Sequence, residues 1–152
     1  MKACSKFDYT TALINLPQAV RECSPVAIKC PEDILSACGD LASLAQESFQ
    51  VLLLNSKNKL LNRVMVSLGC VNAAFVQPRE VFRAAILANA VSILCFHNHP
   101  SGSIEPSAED IKMSRELVEA GKIIGINVID SVVLGYNEHG PLMFSMSAAG
   151  LL

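Results

Sequence analysis

His97-Asn98-His99-Pro100-Ser101-Gly102, followed four residues later by Ser107-Ala108-Glu109-Asp110, decides how this chain is read. Two of its three histidines stand here, just past an uncharged run from Ala84 to Phe96. With Val91 to Phe96 as a strand, the two-residue side-chain period carries both imidazoles to one side. Pro100 and Gly102 turn the chain, and Pro106-Ser107 opens a helix with Ser107 as N-cap and Asp110 three residues in. A strand-end pair of imidazoles thereby gains a carboxylate from the first turn of the next helix. Three such ligands with an open fourth position describe a catalytic zinc site. Each half also has a plainer reading. Ser107-x-x-Asp110 is a capping device with an acid near the positive helix end, and an isolated His-x-His is most often surface or core decoration. Strand, turn and helix in the order the geometry needs favour the metal site.

His97-x-His99-Pro100, with seven residues between His99 and Ser107, then Ser107-x-x-Asp110, resembles the JAMM motif of JAB/MPN metallohydrolases. The wider text, Gln77-Pro78-Arg79-Glu80-Val81-Phe82 together with His97 to Gly102, Pro106-Ser107 and Glu109-Asp110-Ile111, is similar to the RadC branch, over about residues 30 to 152. The resemblance implies a single α/β JAB/MPN domain, a cytidine-deaminase-like mixed β-sheet flanked by α-helices. It also implies metal ligation by His97, His99 and Asp110, and an oxyanion contact from Ser107.

Composition is compatible with that domain. The chain has 152 residues, 51% of them hydrophobic, and a mean hydropathy of +0.40, enough for a real core. Only 17% are charged, which leaves room for a second copy or a partner over apolar surface. Net charge is −2, the isoelectric point is about 5.9, and no Lys/Arg run marks a nucleic-acid face, so DNA is a possible partner that charge does not support. The longest uncharged segment is too short to span a bilayer, and Met1 to Lys6 does not lead into a signal-peptide core. Six cysteines without such a leader point to reduced, structural thiols and a cytoplasmic protein. Cys23, Cys30 and Cys38 lack zinc-ribbon spacing.

Taken in order, residues 1–25 form an N-terminal extension limited by Pro17 and Pro25, and residues 26–152 the catalytic domain. The extension is too short for the helix-hairpin-helix module common in RadC-like proteins. Val26 to Cys30 suggests a short strand. Pro31-Glu32-Asp33 opens a helix whose apolar stripe runs through Ile34, Leu35, Cys38, Leu41, Ala42 and Ala45. Ser48 to Leu54 and Leu60 to Cys70 form a hairpin about Asn55-Ser56-Lys57-Asn58, and Val71 to Val76 extends the sheet. A helix runs from Pro78 to about Ala90 and precedes the histidine strand. The helix after Ser107 stops near Gly121. Ile123 to Asp130, Ser131 to Tyr136 and Leu142 to Phe144 close the sheet.

A hydrolytic metal site needs a base that is not itself a ligand. Glu47, where a helix gives way to the strand at Ser48, and Glu80, at the start of the helix before the metal strand, are the candidates. The JAMM family takes its glutamate from the beginning of a buried strand, and Glu47-Ser48-Phe49-Gln50-Val51-Leu52 matches that place. The leading expectation is a zinc-dependent hydrolase of peptide or isopeptide bonds, with Glu47 moving protons and Ser107 steadying the oxyanion. A DNA-repair or recombination accessory on the same fold is the alternative. Nucleobase deamination is disfavoured, because it expects His-x-Glu and a Pro-Cys-x-x-Cys pair that do not occur here. Two points stay open. Asn98 and Ser101 look like turn residues satisfying local backbone groups, and Ser131 stands where RadC-like chains usually carry histidine after aspartate.

Overall fold

The computed structural model describes residues 27–69 and 76–152. Helix α1 spans Pro31–Cys38 and passes into a 3-10 turn, Gly39–Ser43. The hairpin strands β1 (Ser48–Leu54) and β2 (Leu60–Leu68) follow, then α2 (Pro78–Leu87), β3 (Ser92–Asn98), α3 (Ala108–Ile124), β4 (Asn127–Asn137) and β5 (Gly140–Ser145). The five strands lie in the order β2-β1-β3-β4-β5. Only β3 and β4 are parallel, because α3 carries the chain back across the sheet between them. A mixed sheet flanked by helices, an α/β fold, is the expected architecture.

Strand alternation sorts the apolar residues into two cores. Phe49, Val51, Leu53, Ile93 and Cys95 face α2 and α3, meeting Val81, Phe82, Ala85, Met113 and Leu117. Leu52, Leu54, Leu94, Phe96, Val132 and Leu134 face α1 and the 3-10 turn, meeting Ile34, Cys38, Leu41 and Ala42. All seven residues of β1 and of β3 are buried, which is why each carries an uninterrupted apolar stretch, Val51 to Leu54 and Ile93 to Phe96. Arg63 of β2 fastens the 3-10 layer to the sheet by bonding the Asp40 carboxylate at 2.7 Å, the Ala37 carbonyl at 3.0 Å and Gln50 Oε1 at 2.7 Å.

Several boundaries differ from expectation. Of the proposed strand Val26 to Cys30, Ala27 alone makes a bridge, to Lys59, and Val26 lies outside the described residues. The first helix ends at Cys38 rather than continuing to Ala45, since the chain tightens to 3-10 geometry at Gly39. Strand β2 stops at Leu68; Cys70 and most of the proposed extension to Val76 fall outside the described residues, and Val76 itself is not in a strand. Helix α2 ends at Leu87, because Asn89 adopts φ 51°. Val91 precedes β3, which instead runs on through His97 and Asn98.

Two corrections concern the C-terminal third. Helix α3 continues past Gly121 to Ile124 and is closed by left-handed Gly125, φ 80°. Gly121 serves packing: a Cβ there would lie 2.6 Å from the Ile126 carbonyl oxygen. The proposed break between Asp130 and Ser131 is not a strand end. One strand runs through it with a bulge at Ile129, where the register with β3 skips from Val128 to Asp130. The polar pair is accommodated because the Asp130 carboxylate accepts hydrogen bonds from the Ser131 and Ser147 N–H groups and the Ser145 hydroxyl.

Candidate metal centre

Strand β3 ends against the first turn of α3, and there the side chains of His97, His99 and Asp110 meet. His97, the penultimate residue of β3, is almost wholly buried and lies 6.2 Å from the Phe49 ring at an interplanar angle of 17°, stacked on it. His99 follows the strand. Its N–H donates to the Leu134 carbonyl at 3.0 Å, and its own carbonyl accepts from Gly102 N–H, closing a turn. That turn lies hard against β4. A Cβ on Gly102, whose φ is 83°, would meet the Tyr136 carbonyl oxygen at 2.7 Å, and one on Gly135 would meet the Gly102 oxygen at 2.3 Å. Both positions need glycine.

Asp110 caps its helix and also faces the two histidines. Its Oδ2 accepts the Ser107 N–H at 2.8 Å and the Ser107 hydroxyl at 2.6 Å, while Ser107 Oγ accepts the Asp110 N–H at 3.1 Å, a complete capping box. The same carboxylate faces the histidines, with Oδ1 3.3 Å from His97 Nε2 and Oδ2 3.5 Å from His99 Nε2. The two imidazole Nε2 atoms are 3.2 Å apart. The Glu47 carboxylate joins the group, so that one donor atom from each of Glu47, His97, His99 and Asp110 lies within 4.8 Å of the others. Glu80, in the first turn of α2, is exposed and outside this cluster.

The electrostatics follow from the crowding. Burial alone would push the Asp110 carboxyl up, but hydrogen bonds from His97 and His99 outweigh it and hold Asp110 well below the carboxylate range. The bond to Asp110 pushes His99 above its ordinary value, against the opposing effect of burial.

The donor set fits a metal ion. A tetrahedral ion with bonds of about 2.0–2.1 Å spaces its ligand atoms about 3.3–3.4 Å apart. The histidine–aspartate–histidine separations are 3.2, 3.3 and 3.5 Å. Two imidazoles and one carboxylate also suit a divalent cation of intermediate softness. His97 Nδ1 is buried and makes no hydrogen bond within the described residues, although a ligating imidazole usually shares its second nitrogen with an acceptor.

Of the remaining residues singled out from sequence, Ser107 gives its one proton to Asp110, so an oxyanion contact would require the hydroxyl to turn away. Ser131 is fully buried opposite Cys95 and receives a 2.7 Å hydrogen bond from the Ser114 hydroxyl of α3. His139 is exposed beside Glu138, outside the cluster. Asn98 differs from expectation. It closes no local turn but lies at the end of β3 with its amide bonded to Leu44, Gln46 and Ser48, some fifty residues away. Cys38 and Cys95 are free and buried, and burial pushes both thiols up to about 12. No helix among the described residues is long and apolar enough to cross a membrane.

A mixed sheet with two histidines at a strand end and an aspartate in the next helix defines a JAB-type domain with a possible metal site. Residues 28–151 match the RadC-like JAB domain family, and the chain belongs to it. It is 46% identical over 121 residues to a UPF0758 protein of Listeria monocytogenes, covering 79% of this chain and 54% of that one. It is 45% identical over 131 residues to the UPF0758 protein of Desulforamulus reducens, covering 84% and 55%. It is 41% identical over 133 residues to that of Halalkalibacterium halodurans, covering 83% and 57%. The chain thus spans about half the length of the curated relatives it matches.

Proposed function

We propose that this chain is a zinc-dependent metallohydrolase of the JAMM type that cleaves a peptide or isopeptide bond in a protein or peptide substrate, working in the cytoplasm. The observation that supports it most is the convergence of Glu47, His97, His99 and Asp110 on one point. His97, His99 and Asp110 would hold the ion. Zinc bound there supplies Lewis acidity, polarising an amide carbonyl and lowering the pKa of a water toward neutrality.

The chain's own groups do the rest. Phe49 and the buried end of β3 hold His97, while the hydrogen bond to Leu134 holds the His99 backbone. Glu47 is half-buried and close enough to the cluster to take a proton from the attacking water. It then delivers that proton to the departing amine nitrogen, so the carboxylate is regenerated. Ser107, turned from Asp110, donates to the oxyanion, a contact of a kind that contributes about 3–4 kcal/mol.

The test is cleavage of a proteome-derived peptide library by the zinc-loaded chain, with mass-spectrometric detection of new amino termini and freed lysine amines. Products should form with the unaltered chain and vanish with Glu47→Gln, which still fills with one zinc per chain when the metal is supplied in saturating amount. Equal product sets from both would overturn the proposal.

A further inference from the structure

We propose that Asn98, the residue between the two histidines, is a positioning residue that sets Glu47 against the metal position. This rests on the reading of the cluster as a metal site.

Strand alternation turns Asn98 to the face opposite His97. Its side chain is completely buried there and meets the segment between the 3-10 turn and β1. Its Oδ1 accepts the Ser48 N–H at 2.8 Å, and its Nδ2 donates to the Leu44 carbonyl and the Gln46 carbonyl, each at 3.1 Å. Both amide hydrogens are thereby used, together with one acceptor site. The residues bonded on either side, Gln46 and Ser48, bracket Glu47. From the other direction the Glu47 carbonyl accepts the Gly69 N–H at 2.8 Å. Leu44, Ala45, Gln46 and Glu47 lie outside any helix or strand, so these bonds do for Glu47 what a ladder would do for a strand residue. The Glu47 carboxylate lies on the His97 side, within 4.8 Å of the donor atoms of His97, His99 and Asp110. One asparagine, flanked in sequence by both histidines, thus ties the backbone of the acid to the backbone of the imidazoles. A shorter side chain would not span the gap, and aspartate would set a carboxylate against two carbonyl oxygens.

A purely structural asparagine and a positioning one differ in how they couple to Glu47. Cobalt(II) affinity, measured by chelator competition on the full chain, reads that coupling without a substrate. A carboxylate that stands beside the ion and bonds its water is an outer-shell partner, and loss of such a partner typically weakens binding about 10–100-fold. Glu47→Gln is expected to weaken cobalt binding by about that factor in the unaltered background, and by less than about threefold when Asn98→Ala is already present. Equal factors in both backgrounds would overturn the inference. A second measurement needs no variant and so stands even if Asn98→Ala does not fold: the Ser48 amide should exchange with deuterium at least about tenfold more slowly than its unstructured reference rate, and exchange at the reference rate would equally overturn the inference. Failure of the unaltered chain to bind cobalt at all is a different result, and overturns the metal reading along with this one.

Discussion

Replacing Gly135 with alanine tests how tightly the histidine turn is held to the sheet. The new Cβ would lie 2.3 Å from the Gly102 carbonyl oxygen and 2.8 Å from Ile104 Cγ2, whereas ordinary contact begins near 3.4 Å. Strand β4 is paired on both sides there, to Asn98 in β3 through Leu134 and to Leu142 in β5 through Gly135, so the turn must give way, by about 1 Å. Overpacking of this kind costs about 1–3 kcal/mol, or roughly 2–12 °C of melting temperature in a chain of this size. His99 moves with the turn, because its carbonyl accepts the Gly102 N–H, and that shift pulls against its bond to Leu134 in the fixed strand. Metal sites tolerate ligand displacements of only about 0.2 Å, so cobalt or zinc affinity should fall at least about tenfold. Gly125→Ala is the control. It meets nothing within 4 Å but must hold φ 80°, so it should cost about 1–2 kcal/mol and leave metal affinity unchanged. Calorimetry and chelator competition on both variants decide the matter. Gly135→Ala with unaltered affinity would refute the tight coupling of turn and strand.

Three further outcomes follow from the same geometry. Ser107→Ala removes the helix cap and should lower stability by about 1 kcal/mol in thermal melts while leaving one metal ion per chain; loss of the metal would show that the cap, not the ligands, builds the site. In the chelated chain His99 is raised, so its stabilisation is complete below about pH 6.5 and is lost as pH rises through the raised value. Asp110 is lowered, so its contribution is complete above about pH 3.8 and is lost as pH falls through the lowered value. The melting advantage over Asp110→Asn should therefore be greatest between about pH 4 and 6.5 and shrink toward pH 8, and a constant difference would contradict the assignment. Site-resolved thiol labelling should modify exposed Cys30 in the folded chain and spare Cys38 and Cys95 until unfolding; early labelling of Cys95 would place it outside the core.

Much of this architecture was visible in the sequence because local pattern and tertiary role coincide. Val51 to Leu54 and Ile93 to Phe96 are apolar throughout, and only a strand covered on both faces suits such a run. Ser107 and Asp110 carry their capping and cluster-facing roles in one spacing. What was hidden depends on distant partners. Nothing near Asp130 announces that Ser145 and Ser147 will satisfy its carboxylate, so a continuous strand looked like two. Gly121 and Gly125 are equally good helix ends in sequence, and only the approach of Ile126 to Gly121 separates their duties. Asn98 looked like a turn residue because its three partners lie some fifty residues earlier in the chain.

The most direct test is elemental analysis of the chain purified without added metal, beside His97→Ala. The account predicts about one equivalent of zinc per chain, lost in the variant. Zinc retained at full occupancy without the His97 imidazole, or no metal bound by the unaltered chain even after incubation with zinc, would contradict it.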